Sequence, residues 1–248
     1  MNYNPFSLKG KTILITGASS GIGKAVSIEC SKMGATIIAT GRNRERLTDT
    51  MNSLEVSDTH KCVQADLTND SDVVSLVEEL PMLDGVVFCA GVNDKSLAKM
   101  IDQGKIDKMF QTNVFSQMLL TKELVKKKKI NAGASMVMIS SIASTYATIS
   151  NALYASSKGA IEAYMRTLAL ELAPSKIRVN AIRPGMVETP ILGSYVMSDG
   201  LDEFKKQFPL GRFGQPEEIA YGIIYLLSDA SKWTTGSLIT IDGGITLR

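Results

Sequence analysis

Six short apolar runs recur along the chain, at 12–16, 36–40, 83–88, 135–139, 177–182 and 238–241, each continuous rather than alternating with polar residues. Strands that are apolar on both faces belong in a parallel sheet covered by helices on both sides, whereas a sheet with one wet face alternates. A weaker seventh run lies at 60–64. Helical patterns separate them, at 22–33, 44–54, 71–79, 106–128, 154–172 and 217–227. This β-then-α order predicts an α/β fold with a seven-stranded parallel sheet, doubly wound by right-handed crossovers that bury both faces. With no repeat, low-complexity tract or linker, residues 1–248 read as a single domain. The least regular stretch, 188–215, holds Pro190, Gly193, Gly200, Pro209, Gly211 and Gly214, and reads as a loop that covers a ligand.

Composition narrows the function classes. Apolar residues make up 44% and charged residues 21%, a balance that fills a core. With 27 basic against 25 acidic side chains, the formal charge of +2 offers no field for nucleic acid or anionic lipid, so a small molecule is the expected partner. Cys30, Cys62 and Cys89 form no CxxC, and His60 is the one histidine, which argues against a metal site and for reduced thiols in a cytoplasmic protein. No apolar run approaches the roughly 20 residues that span a bilayer, and the first residues carry no export signal. No membrane association is expected.

The first candidate site is Gly17-Ala18-Ser19-Ser20-Gly21-Ile22-Gly23, which leaves a predicted strand and opens a predicted helix. Gly17 permits a sharp turn, Gly21 lets the backbone approach a pyrophosphate, and Gly23 allows close helix packing. The free N–H groups and partial positive charge of the helix end then face the anion. Such a turn makes the expected fold a Rossmann domain. Where an NAD site usually presents Asp or Glu after the second strand, this chain reads Thr40-Gly41-Arg42. Arg42 can meet a 2′-phosphate, which favours NADP(H) over NAD(H). Alternatively Arg42 simply begins a solvated helix with Arg44 and Arg46. Asp66 is placed to accept a bond from adenine, or else to cap the following helix.

Tyr154 and Lys158 stand four apart on a predicted helix and therefore share a face. A free phenol titrates near pKa ~10 and is a sluggish acid-base group at neutral pH. A positive charge about 4 Å away is worth about 4 kcal/mol at an effective dielectric of about 20, or roughly three pKa units. Lys158 is thus expected to bring Tyr154 toward physiological pH. Ser141, at the carboxyl end of a predicted strand, falls where ligands sit in doubly wound folds.

Taken together, Thr16 to Gly23, Asn113, Ile139-Ser140-Ser141, Tyr154-Ala155-Ser156-Ser157-Lys158, Arg183-Pro184-Gly185 and Ile241-Asp242-Gly243-Gly244 resemble the short-chain dehydrogenase/reductase family, similar to its 3-oxoacyl-[acyl-carrier-protein] reductases. The similarity runs from about Leu8 to Gly244. The resemblance implies hydride transfer between a nicotinamide and a carbonyl or secondary alcohol. Tyr154 would protonate the forming alkoxide and Ser141 would bond the same oxygen. Lys158 would bind the ribose hydroxyls, and Asn113 would hold a water linking Lys158 to solvent. The dinucleotide set takes in Gly17, Ser19, Ser20, Gly21, Ile22, Gly23, Arg42, Asp66, Leu67, Ala90, Gly91, Tyr154 and Lys158. Pro184, Gly185, Val187 and Thr189 complete it beside the nicotinamide carboxamide. A homotetramer, or a homodimer, is implied by the same resemblance.

Two departures stand out. Phe88-Cys89-Ala90-Gly91 replaces the family's usual Asn-Asn-Ala-Gly, and Cys89 reads as a small buried thiol rather than a nucleophile. The join 80–85 is short. Lys126 to Lys129 read as a solvated helix end, with an acidic acyl-carrier partner as the sharper alternative; Leu170, at a place often Arg in acyl-carrier reductases, weighs against it. His60 reads as a strand or surface residue, Arg212 as half of a structural salt bridge, and Gln215-Pro216 as a helix start. A 3-oxoacyl thioester is the preferred substrate. The alternatives are a sugar, polyol or steroid dehydrogenase of the same family, or a catalytically silent dinucleotide sensor.

Overall fold

The computed structural model describes residues 3–193 and 201–247. In chain order the strands are β1 (Thr12–Thr16), β2 (Thr36–Gly41), β3 (Lys61–Gln64), β4 (Leu83–Phe88), β5 (Ile130–Ile139), β6 (Arg178–Pro184) and β7 (Leu238–Ile241). The helices are α1 (Gly21–Lys32), α2 (Arg44–Met51), α3 (Asp70–Glu79), α4 (Gln103–Phe110), α5 (Ser116–Lys126), α6 (Ala152–Leu172), α7 (Pro190–Gly193), α8 (Leu201–Lys205) and α9 (Pro216–Leu227). All seven strands are parallel, in the order β3-β2-β1-β4-β5-β6-β7, as the doubly wound Rossmann reading expects.

The continuous apolar runs build two core layers because successive strand side chains point to opposite faces. Leu14, Val86, Phe88, Met136 and Met138 face the layer of α3, α5 and α6. Ile13, Ile15, Val87, Val137 and Ile139 face that of α1 and α9. Complete burial of each such side chain contributes roughly 1.5–3 kcal/mol. The weak run becomes edge strand β3, whose Lys61, Cys62 and Gln64 are exposed, so it never needed an apolar signature. His60 stands just before this strand, and its Nδ1 accepts the Ile37 N–H at 3.0 Å.

The expected helix at 106–128 differs. It starts earlier, at Gln103, because Asp102 caps it by accepting the Lys105 N–H at 2.9 Å. A π-helical turn at Gln111–Phe115 then separates α4 from α5, and the helix stops at Lys126. Lys127 pairs with Glu78 at 3.2 Å, while the Lys129 ammonium donates to the carbonyls of Leu80 and Glu78 at 2.5 and 3.2 Å. Half of the lysine run therefore ties the short join before β4 in place. Leu170 is largely exposed.

The amino ends of the strands carry structural ties. Asp84 accepts the Thr12 N–H at 2.9 Å and the Asn131 side-chain N–H at 2.8 Å. Arg178 donates to the carbonyls of Leu226 and Ser228 at the carboxyl end of α9, at 2.8 and 3.3 Å. Part of the predicted loop 188–215 lies outside the described residues. Its two ends are held by a short ladder in which Glu188 donates to Gly214 and Gly214 donates to Met186, just before the stretch, both at 2.9 Å. Among the described residues no helix is long and apolar enough to cross a membrane, and no group of three metal-ligating side chains gathers.

Candidate active site

The carboxyl ends of β1, β4, β5 and β6 open onto one cleft of about 710 Å³. Every residue of the expected dinucleotide set lines it, together with Ser141. Asn113 does not.

The turn after β1 is built for close approach. Gly17 has φ +63°, and a Cβ there would meet the Ala90 backbone at 2.8 Å. A Cβ on Gly23 would meet the Gly17 carbonyl oxygen at 2.3 Å. Neither position admits a side chain. Ala18 donates to the Thr40 carbonyl at 3.2 Å, and Ala90 donates to the Thr16 hydroxyl at 3.2 Å, so the turn is tied to both neighbouring strands. Ser20, at the N-cap of α1, makes no side-chain capping bond. The first-turn N–H groups thus face the cleft without a side-chain acceptor, which fits an incoming pyrophosphate. Across the cleft, Thr189 stands 3.3 Å from where a Cβ on Gly21 would lie.

At the far end, Arg42 is exposed and precedes Asn43, the residue that caps α2 by accepting the Arg46 N–H at 2.8 Å. Arg42 therefore lies outside the helix it was alternatively expected to begin. Arg46 also lines the cleft, a second cation that sequence reasoning left in that helix. Asp66 does not cap α3; Asn69 does. Partial burial works against the Asp66 carboxylate, but the Thr68 N–H and hydroxyl, with Arg42 beyond, hold its pKa below the usual range.

Helix α6 carries a buried stripe of Leu153, Ser157, Lys158, Ile161, Glu162, Met165, Leu168, Ala169 and Leu172, the three-and-four spacing of a packed face. Lys158 lies on it, with its ammonium 5.6 Å from the centre of the Tyr154 ring and donating to the Ile139 carbonyl at 2.8 Å. Burial lowers the Lys158 pKa to about 8. Burial also pushes Tyr154 up to about 12, with the Ser141 hydroxyl pulling the other way. The expected descent of the phenol toward neutrality is therefore corrected: the cost of desolvating a phenolate outweighs the stabilisation available to it. Ser141 follows β5 and caps a single 3₁₀ turn at Ile142–Ser144, accepting the Ala143 N–H at 3.2 Å.

Asn113 sits in the π-helical turn and is fully buried. Its side-chain oxygen accepts the Val92 N–H at 2.8 Å, and its amide N–H groups donate to the Val92 carbonyl and the Ser157 hydroxyl at 2.9 and 3.1 Å. Both ends of the amide are engaged. The residue is placed as a tie between the chain after β4 and helix α6 rather than on the cleft wall. Cys89 is partly rather than fully buried: it packs against the layer of α1 and α9 and also lines the cleft, and burial pushes its thiol up to about 12 despite Lys158 nearby. Arg212 forms its expected ion pair, with two bonds of 2.7 Å to Glu218.

Beyond Ser141 and Tyr154 the cleft wall turns apolar. Phe204, Phe208 and Phe213 contact one another with ring centres 5.3–5.9 Å apart, and Ile142, Tyr146, Leu192 and Ile245 join them.

A family profile described as "Enoyl-(Acyl carrier protein) reductase" matches residues 17–246. The 3-oxoacyl-[acyl-carrier-protein] reductase FabG of Thermotoga maritima is 34% identical over 97% of this chain and 99% of its own. The chain belongs to the short-chain dehydrogenase/reductase family. The corresponding reductase of Rickettsia felis is 32% identical over 96% of this chain and 98% of that one. Among solved structures, a candidate NAD(P)-dependent gluconate 5-dehydrogenase from Beutenbergia cavernae, with NADP bound at low occupancy, superimposes with a TM-score of 0.89. It is 28% identical and covers 99% of this chain and 100% of that one. As a short-chain dehydrogenase/reductase the chain is an oxidoreductase that binds a nicotinamide dinucleotide and acts on a carbonyl/alcohol pair.

Proposed function

We propose that this enzyme reduces a 3-oxoacyl thioester at the expense of NADPH. One observation carries the reading: Ser141, Tyr154 and Lys158 meet at the carboxyl ends of the strands, on the same cleft as the glycine turn. A nicotinamide dinucleotide held in the cleft would supply hydride for the carbonyl carbon. The chain supplies what hydride transfer alone lacks, a proton and a place for developing negative charge. Tyr154 gives its phenolic proton to the substrate oxygen, and Ser141 donates a hydrogen bond to the same atom. Lys158 holds the ribose hydroxyls and offers its charge to the tyrosinate that proton transfer leaves behind, where the otherwise raised phenol needs it. Preference for the phosphorylated cofactor is supported by Arg42 and Arg46 on the adenosine end, with no carboxylate after β2 to repel the phosphate.

The apolar wall of Ile142, Tyr146, Leu192, Phe204, Phe208 and Ile245 supports an acyl chain over a polyol. A sugar-type alcohol is the second reading, favoured by Asn93 and Asn151, cleft residues whose buried side-chain oxygens accept no hydrogen bond from the described residues. We further infer a cytoplasmic location, checked by cell fractionation, and a homotetramer or homodimer, checked by light scattering. The deciding assay follows absorbance at 340 nm with acetoacetyl-coenzyme A and simple ketones in the presence of NADPH or NADH, and with polyols in the presence of NADP⁺ or NAD⁺. Thioester reduction with NADPH is the expected result. Turnover of polyols alone would select the second reading, and NADPH binding without turnover of any carbonyl would select a silent sensor.

A further inference from the structure

Two charged residues ride the buried stripe of α6, one helical turn apart. Lys158 belongs to the cleft. Glu162 does not line it, yet its residue is only 5% exposed. Burying a carboxylate is costly unless it is paired and bonded, and an apolar residue of similar size is often the more stable choice. Packing alone therefore gives no account of Glu162.

Its partners do. Oε1 accepts the Ser140 hydroxyl at 2.7 Å, the Ser144 hydroxyl at 2.5 Å and Arg183 Nε at 3.0 Å, and Oε2 accepts Arg183 Nη2 at 2.8 Å. Ser144 also lies 2.8 Å from the Ser141 carbonyl, and its single proton goes to the charged acceptor as the stronger one. Ser140 and Ser144 bracket Ser141 and the 3₁₀ turn that it caps. Arg183 directly precedes Pro184 and Gly185 at the end of β6. Glu162 itself sits on the helix of Tyr154 and Lys158. One carboxylate thus joins the two elements that carry Ser141, Tyr154 and Lys158 to the end of β6.

We propose that Glu162 is a positioning residue for Ser141: by holding the hydroxyls on both sides of it, the carboxylate fixes the turn that aims the Ser141 hydroxyl at the oxygen Tyr154 protonates. Glu162 stays ionised; burial opposes its charge, but the bonds from Arg183, Ser144 and Ser140 outweigh that and lower its pKa. The proposal rests on the hydride-transfer reading of the cleft.

The test compares Glu162→Gln, Ser144→Ala and Arg166→Ala, with Tyr154→Phe alongside, on the carbonyl that the unaltered enzyme reduces fastest. Arg166 is the control, being exposed and 4.0 Å from Glu162. Measured for each are kcat per NADPH-binding site, NADPH Kd by fluorescence and the melting temperature. A misplaced reacting group slows chemistry without weakening cofactor binding, so Glu162→Gln and Ser144→Ala should each lower kcat about 10-fold or more with Kd within about 2-fold. Arg166→Ala should leave both unchanged. Should Glu162→Gln fail to fold, the Ser140→Ala/Ser144→Ala double variant decides by the same measures. Full kcat in Ser144→Ala, or a loss confined to melting temperature, beside an inactive Tyr154→Phe, would overturn the positioning role alone. An active Tyr154→Phe would overturn the reading of the cleft and this proposal with it.

Discussion

The Lys158 ammonium lies 5.6 Å from the centre of the Tyr154 ring while bonding the Ile139 carbonyl at 2.8 Å, so the cation stands over the face of the phenol. Tyr154→Phe keeps the ring beneath that cation and removes the hydroxyl that gives up the proton. Loss of a positioned acid typically costs about 10²–10⁴ in rate. We expect kcat to fall within that range with NADPH affinity retained, as checked by steady-state kinetics and fluorescence titration.

Lys158 also makes stability depend on pH in a definite direction. Its folded pKa is lowered from 10.5 to about 8, so between those values the unfolded chain holds a proton that the folded chain has released. Stability from this group therefore grows as pH rises through that window and is lost as pH falls toward 8. Comparing wild type with Lys158→Met by thermal melting, the difference should shift in favour of wild type between pH 7 and pH 10. A constant difference would mean that burial leaves Lys158 unperturbed.

Cofactor choice is predicted to rest on Arg42. A hydrogen bond to a charged group contributes about 1.5–3 kcal/mol, which corresponds to roughly 10–100-fold in affinity. Arg42→Asp should weaken NADPH binding by that factor and keep or improve NADH binding. The opposite pattern in paired titrations would reject the NADP(H) preference.

The glycines make a contrasting pair. A methyl at Gly23 would meet the Gly17 carbonyl oxygen at 2.3 Å, whereas at Gly159, inside α6, it would meet nothing within 4 Å. Overpacking of this kind costs about 1–3 kcal/mol or more, while Gly to Ala in an unstrained helix stabilises by about 0.4–1 kcal/mol. Urea denaturation should therefore show Gly23→Ala destabilised and Gly159→Ala slightly stabilised, with NADPH binding impaired only in the first.

Much of this architecture was legible from periodicity. The runs at 12–16 and 83–88 became strands with those bounds, because central parallel strands must be apolar on both sides, and the run at 238–241 became the edge strand β7. The break between α4 and α5 was not legible, since apolar spacing continues through 111–115 and the π-helical turn is marked only by the bonds of Asn113. Arg46 and Glu162 escaped notice for a similar reason: a charge on a helix reads as solvated until its tertiary partners are known. The direction of the Tyr154 shift also lay beyond pairwise spacing. Four residues of separation set the reach of Lys158, but burial from several elements set the balance.

Strands whose carboxyl ends border the cleft are fastened near their amino ends by other residues, as Asp84 of β4 does by bonding Thr12 of β1 and Asn131 of β5, and Arg178 does for β6. Durability and chemistry are thus written at opposite poles of the same strands, several ångströms apart along rigid backbone. A lineage could remodel the cleft rim for a new alcohol or ketone and recover lost robustness at the other pole, with little interference between the two.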